Sequence, residues 1–262
     1  MAKRYPKICI GDIFKTKKCG DVEVLLYKNA REIDVIFINT GTLRNVASKE
    51  LRDGAIKDPM CPSIHGIGYR GIGTHMGWVG GESTEVYNRW CGMLGRCYNP
   101  SSQDYKRYGL KGVTVCDSWH NFQIFAEWFF RNHRNGFEID KDILYQNSTI
   151  YGPDTCVFIP QSLNKMMTFS DSARGDLPIG VTYRDDCAFK YMACVTDHMT
   201  NKRLWKTSKT PREAYEWYVV ARKKSISDAA KHYLKLGDIS EEVYTALLNY
   251  KIEEYKIKDE TL

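Results

Sequence analysis

No C-x-x-C pair occurs among the nine cysteines, and the closest spacings, Cys91 with Cys97 and Cys187 with Cys194, are too wide for a zinc knuckle. Zinc is therefore not expected. No signal peptide precedes the strand-like run after MAKRYPK, so the cysteines are read as free thiols in a reducing cytoplasm. No apolar run approaches the roughly 18 residues of a membrane span, which excludes a helical membrane protein. What remains is ordinary globular composition, 43% hydrophobic and 27% charged over 262 residues, enough for two or three small domains. A formal net charge of +6 accompanies 17 Tyr and 6 Trp. Aromatics interleaved with Lys and Arg suit a polyanion partner, because cations neutralise phosphate while rings contact bases or sugars.

Residues 1–60 read as all-β. ICIGDIF, VEVLLY and IDVIFI are short β-branched and aromatic runs separated by polar turns, a pattern that suits a small SH3-like barrel of about five strands. Residues 61–82 hold seven glycines between Gly66 and Gly81, too dense for a helix or a regular strand, and read as a linker. GIGYRG within it lacks the strand-then-helix context of a dinucleotide site. From Ser83, a helix cap, Val86, Trp90, Met93, Leu94 and Cys97 recur at helical spacing up to Pro100. SSQDYKRYGLKG is a polar connector. Asp117 is read as the cap of a helix whose stripe is Trp119, Phe122, Phe125, Ala126, Phe129 and Phe130.

GFEIDKDIL follows as a strand. Alternation places Glu138, Asp140 and Asp142 on one face and Lys141 on the other. A second strand, CVFIP, leads into a short helix carrying Asn164. Beyond TFSDSARGD, residues 177–225 give three strands, IGVTYR, FKYMACVT and NKRLWKT, and a helix opened by Thr210 and Pro211. Residues 226–262 form a tail of one or two amphipathic helices with Ser240 as a cap and a charged, fraying end. The fold class is α+β.

Two of these segments are familiar together. YNRWCGMLGRCYNP, VTVCDSW, GFEIDKDIL and YGPDTCVFIP, in that order, resemble the HNH-type nuclease module of phage homing-endonuclease-like proteins, covering residues 83–168. GVTYR, FKYMACV and RLWKTSKTPREAYEWYVVARKK resemble the AP2 DNA-binding domain. The resemblance implies a hairpin-and-helix nuclease site with a divalent ion, Mg2+ being the expected one. It also implies a three-stranded sheet that places double-stranded DNA, and a setting in the bacterial host cytoplasm. Asp140 and Asn164 match the family's metal ligands. Lys141 stands where the family has its general-base His, and Thr155 falls near the position of its central Asn. By the same resemblance Arg184, Lys190, Arg203 and Trp205 are the sheet's DNA contacts, and Arg96, Lys106 and Arg107 are further DNA-binding candidates.

Lys141 changes the chemistry that can be expected. An unperturbed lysine, near pKa 10.4, is charged at neutral pH and accepts no proton. It can hold a phosphate or stabilise developing charge, while a metal-bound water needs no histidine to be acidified. His133, at the end of the aromatic helix, is the better substitute base, with His120 the other. The expected function is a metal-dependent DNA endonuclease with the AP2-like domain positioning DNA; the alternatives are a DNA-binding protein on an inactive HNH scaffold and a structural protein whose barrel binds a partner. The sequence sets no oligomeric state.

Overall fold

The computed structural model describes residues 6–168, 177–186, 188–197, 200 and 202–255. The expected linker lies outside the described residues from 169 to 176, as do Cys187 and the last seven residues of the tail. The chain divides into two compact units, Met1–Arg131 and Asn132–Leu262. That division falls inside the stretch read as the nuclease module. No helix among the described residues is long and apolar enough to cross a membrane.

In the first unit, β1 (Ile13–Lys15), β2 (Asp21–Asn29), β3 (Glu32–Phe37) and β4 (Leu43–Val46) form an antiparallel sheet in sequence order. Val22, Val24, Ile33, Val35 and Phe37 alternate onto its buried face, with Leu51 of α1 (Ser48–Arg52) and Ile56 completing the core. The expected barrel is corrected: the sheet has four strands and does not close. β1 and β4, of three and four residues, are too short to wrap round and meet.

The glycine-rich stretch is packed rather than free. β5 (Trp78–Val79) and β6 (Glu82–Ser83) pair at its end. Tyr69 donates its amide to the His120 carbonyl at 2.9 Å, and its own carbonyl accepts from the Phe122 amide at 3.0 Å. A Cβ on Gly68 would lie 2.4 Å from Leu94 and 3.0 Å from the Trp90 ring. Glycine is present here because backbone lies directly on aromatic side chains.

Helix α2 (Glu85–Tyr98) starts one residue later than expected, with Thr84 rather than Ser83 accepting from the Tyr87 amide. All five residues of its predicted stripe are buried. After the strand β7 (Thr114–Val115), Asp117 opens a 3-10 turn, Asp117–His120, rather than capping α3 (Phe122–Asn132). Trp119 is fully buried and its carbonyl accepts from Trp90 Nε1 at 2.7 Å. Phe130, read as core, is 61% exposed and stacks on His75.

The second unit contains β8 (Phe137–Asp140), β9 (Ile150–Tyr151), β10 (Val157–Pro160), α4 (Gln161–Met167), β11 (Val181–Tyr183), β12 (Tyr191–Asp197), β13 (Lys202–Ser208), α5 (Pro211–Leu236) and α6 (Glu241–Leu248). β8 and β10 are an antiparallel pair, and α4 follows β10 directly and packs on both. β11, β12 and β13 form the expected three-stranded sheet, with α5 lying chiefly over β12.

α5 is longer than the sequence reading had it. No proline or glycine interrupts it before Gly237, so it runs 26 residues and enters two cores. Its first turns bring Ala214 and Tyr218 against Val181, Ala193 and Val195 of the sheet. Its later turns bring Ile226, Ala229 and Ala230 against Ile143, Ile159, Leu163 and Met166. The chain after α6 returns to the sheet side, where Ile252 is buried.

Candidate nucleic-acid interface and carboxylate hairpin

β8 stops at Asp140, so the strand alternation behind the sequence reading stops there too. Asp140 Oδ1 accepts the amides of Asp142 at 2.7 Å and Ile143 at 2.8 Å, turning the chain away from the strand. Glu138, Asp140 and Asp142 therefore do not share one strand face. Asp140 is opposite Val157 and Glu138 opposite Ile159, which is fully buried in the core. The Asp140 carboxyl thus sits on the inward side, and burial pushes its pKa above the ordinary value.

Lys141 is not a base in waiting. Its side chain is buried, and Nζ donates to Asp142 Oδ1 at 2.6 Å and to the Ser148 carbonyl at 2.7 Å. The Tyr151 ring lies 5.9 Å away. Both contacts commit the nitrogen as a hydrogen-bond donor. His133 packs edge-on against Phe158, which is opposite Ile139 and so belongs to the other face of the pair from Asp140. The pairing directs His133 and Asp140 to opposite sides. His120 lies in the first unit, with Nε2 3.4 Å from the Tyr98 hydroxyl. Thr155 Oγ1 donates to the Ile150 carbonyl at 2.8 Å and shapes the turn before β10.

Asn164 is half-buried on α4, and its carbonyl accepts from Thr168. Among the described residues, no group of three or more His, Cys, Asp or Glu side chains that could hold a metal ion gathers around Asp140 and Asn164. One Asp140 oxygen is committed to two amides, burial raises the carboxyl's pKa above the ordinary value, and the neighbouring Asp142 carboxylate holds Lys141.

This arrangement separates a structural from a metal-binding role for Asp140. Asp140→Asn keeps an oxygen acceptor for both amides and removes a buried charge, so it is expected to be at least as stable as the wild type at pH 7. Asp140→Ala leaves two amides without their acceptor and is expected to lose about 2 kcal/mol or more. The sign of the pH dependence follows. A carboxyl with a raised folded pKa favours the folded state while protonated, so its effect on stability declines as pH rises from the ordinary value to the raised one. Thermal unfolding across that acid range should show this slope in the wild type and lose it in Asp140→Asn. Equal losses in the two variants at pH 7 would sink the assignment.

The C-terminal sheet gathers the predicted DNA contacts. Ala193 and Val195 point to α5, so Met192, Cys194 and Thr196 take the open face. Register places Thr207, Trp205 and Arg203 opposite these three, and Thr182 beside Met192. Arg184 and Lys190, just beyond the paired strands and joined by a 2.7 Å backbone hydrogen bond, continue the same alternation. All four residues named from the sequence thus lie on one face. Trp205 is 65% exposed at its middle. Arg184 is held bidentately by Asp186 at 2.8 and 2.6 Å, and Lys190 Nζ donates to the Asp185 carbonyl at 2.8 Å. No hydrogen bond or ion pair joins the side chains of Arg203 and Trp205 to other described residues. Thr182, Thr196 and Thr207 were missed as members of this face; strand alternation carried through the hairpins would have found them.

Arg96, Lys106 and Arg107 belong to the first unit. Asp104 lies 3.9 Å from Arg96 and 4.0 Å from Arg107, and Arg96 sits over the Tyr108 ring at 5.7 Å. Lys106 and Arg107 are exposed. Compared with protein-family models, curated proteins and solved structures, the chain matches none.

Proposed function

We propose that this chain is a double-stranded-DNA-binding protein of the phage HNH and AP2 type, holding the duplex on the open face of its C-terminal sheet. One observation carries the reading: Arg203 and Trp205 stand at i and i+2 on the face opposite α5, with Arg184 and Lys190 on the same side. A sheet face can enter the major groove, where Arg pairs with guanine edges and Lys neutralises phosphate. An exposed indole two positions from Arg203 adds a flat surface for sugar or base methyl groups. Of the readings open to the sequence, binding on an HNH scaffold without hydrolysis has the better support. The hairpin's lysine is committed as a charged donor, and its nearest sequence-predicted histidine takes the other face.

Duplex binding measured over a salt series tests the proposal. Three cations on the face are expected to give a slope of log K against log salt of about −3, with single-stranded competitor displacing poorly. Absence of binding at low salt would remove the reading and favour the interaction-protein alternative. Plasmid incubated with Mg2+ or Mn2+ distinguishes the endonuclease reading. The expected result is no nicking; nicking that Asp140→Asn abolishes would establish the metal-dependent nuclease instead.

A further inference from the structure

We propose that the Lys141 ammonium is a resident cation, occupying the centre of the hairpin loop where a bound metal ion would otherwise neutralise the carboxylates. The loop is wound around one positive charge. Asp142 gives it a carboxylate oxygen at 2.6 Å and Ser148, six residues on, gives a backbone carbonyl at 2.7 Å. Carboxylate and carbonyl oxygens drawn from positions spread along one loop are the donor set that hard cations take. The lysine side chain, only 8% exposed, fills that position from within the chain. Tyr151 closes over it.

The same loop has two other anchors. Ile143 is buried among Leu163, Met166 and Ile226. Gln146 pairs with the backbone of Lys251, donating from Nε2 at 2.6 Å and accepting from the amide at 3.1 Å. Lys141 is thus a positioning residue that fixes the loop on which the C-terminal segment docks. The inference stands on the hairpin geometry alone and does not depend on DNA binding. With Lys141 in place, this chain needs no divalent ion to hold its hairpin.

Thermal unfolding of the full chain without DNA, in EDTA and in increasing Ca2+ or Mg2+, tests it. The wild-type Tm is expected to be insensitive to either ion. Lys141→Ala and Lys141→Met are each expected to lower Tm by roughly 4 °C or more, because a partly buried carboxylate loses its partner. In Lys141→Ala, where space is vacated, Ca2+ or Mg2+ is expected to raise Tm saturably. Adding Asp142→Asn to either variant removes the uncompensated charge and is expected to recover stability and abolish the ion response. Should the single variants not fold, the Lys141→Met/Asp142→Asn protein is still expected to. The proposal is overturned if the wild-type Tm rises with the ions, if Lys141→Met is as stable as wild type, if Lys141→Ala shows no ion response, or if Asp142→Asn gives no recovery.

Discussion

Replacing Arg203 and Trp205 together by alanine is expected to weaken duplex binding by about 100-fold while leaving thermal stability near that of the wild type. A guanidinium on a base edge and an exposed ring on the nucleic acid are each worth about 1–3 kcal/mol, so the pair accounts for roughly two decades. Stability should hold because Trp205 is 65% exposed and both side chains lie opposite the helix-covered face. Arg203 alone separates two roles. If it contacts phosphate, Arg203→Ala reduces the salt slope by about one; if it reads a base, the slope stays and sequence preference relaxes. Arg184→Ala is expected to do less, because Asp186 already holds that guanidinium with two hydrogen bonds. Electrophoretic mobility shift or fluorescence anisotropy checks all three. An affinity unchanged in the double variant would remove the sheet face as the DNA surface.

Gly180→Ala is expected to cost about 3 kcal/mol or more and to lower Tm by roughly 8 °C. Gly180 has φ of +76°, and a Cβ there would lie 2.1 Å from the Tyr218 ring. Tyr218 is 5% exposed, in the core between α5 and the sheet, so the ring has nowhere to go. The Gly180 carbonyl also accepts from the Cys194 amide at 3.2 Å, so a shift of the backbone would disturb the β11–β12 edge. Gly237→Ala is the control: its φ is +70° but nothing lies within 4 Å, so only the left-handed backbone cost of about 1 kcal/mol applies. Thermal unfolding that ranks the two variants equally would show that the Tyr218 contact is unimportant.

The parts that were legible in the sequence are those that local pattern determines. IGVTYR, FKYMACVT and NKRLWKT are short β-branched and aromatic runs, and Thr210-Pro211 marks a helix start, so the C-terminal sheet and the start of α5 stand where expected. The burial of Val86, Trp90, Met93, Leu94 and Cys97 likewise follows from a single helical period. The hairpin was harder. Period-two alternation predicts one face through Asp142, whereas the strand ends at Asp140 in a turn that its own side chain stabilises. An Asp able to bond its downstream amides is a turn signal, and here it overrides the period-two pattern. The commitment of Lys141 to the Ser148 carbonyl depends on how an eight-residue loop closes, which composition does not encode. The packed glycine segment was illegible for a related reason. Gly68 is read as flexible until Trp90 and Leu94, more than twenty positions away, are placed against it.

α5 has a mechanical consequence. At about 1.5 Å per residue its 26 residues form a rod of about 39 Å, with one end in the sheet core and the other in the hairpin core. A strain applied at the sheet core is therefore carried along an unbroken rod to the core of Ile159, Leu163 and Met166.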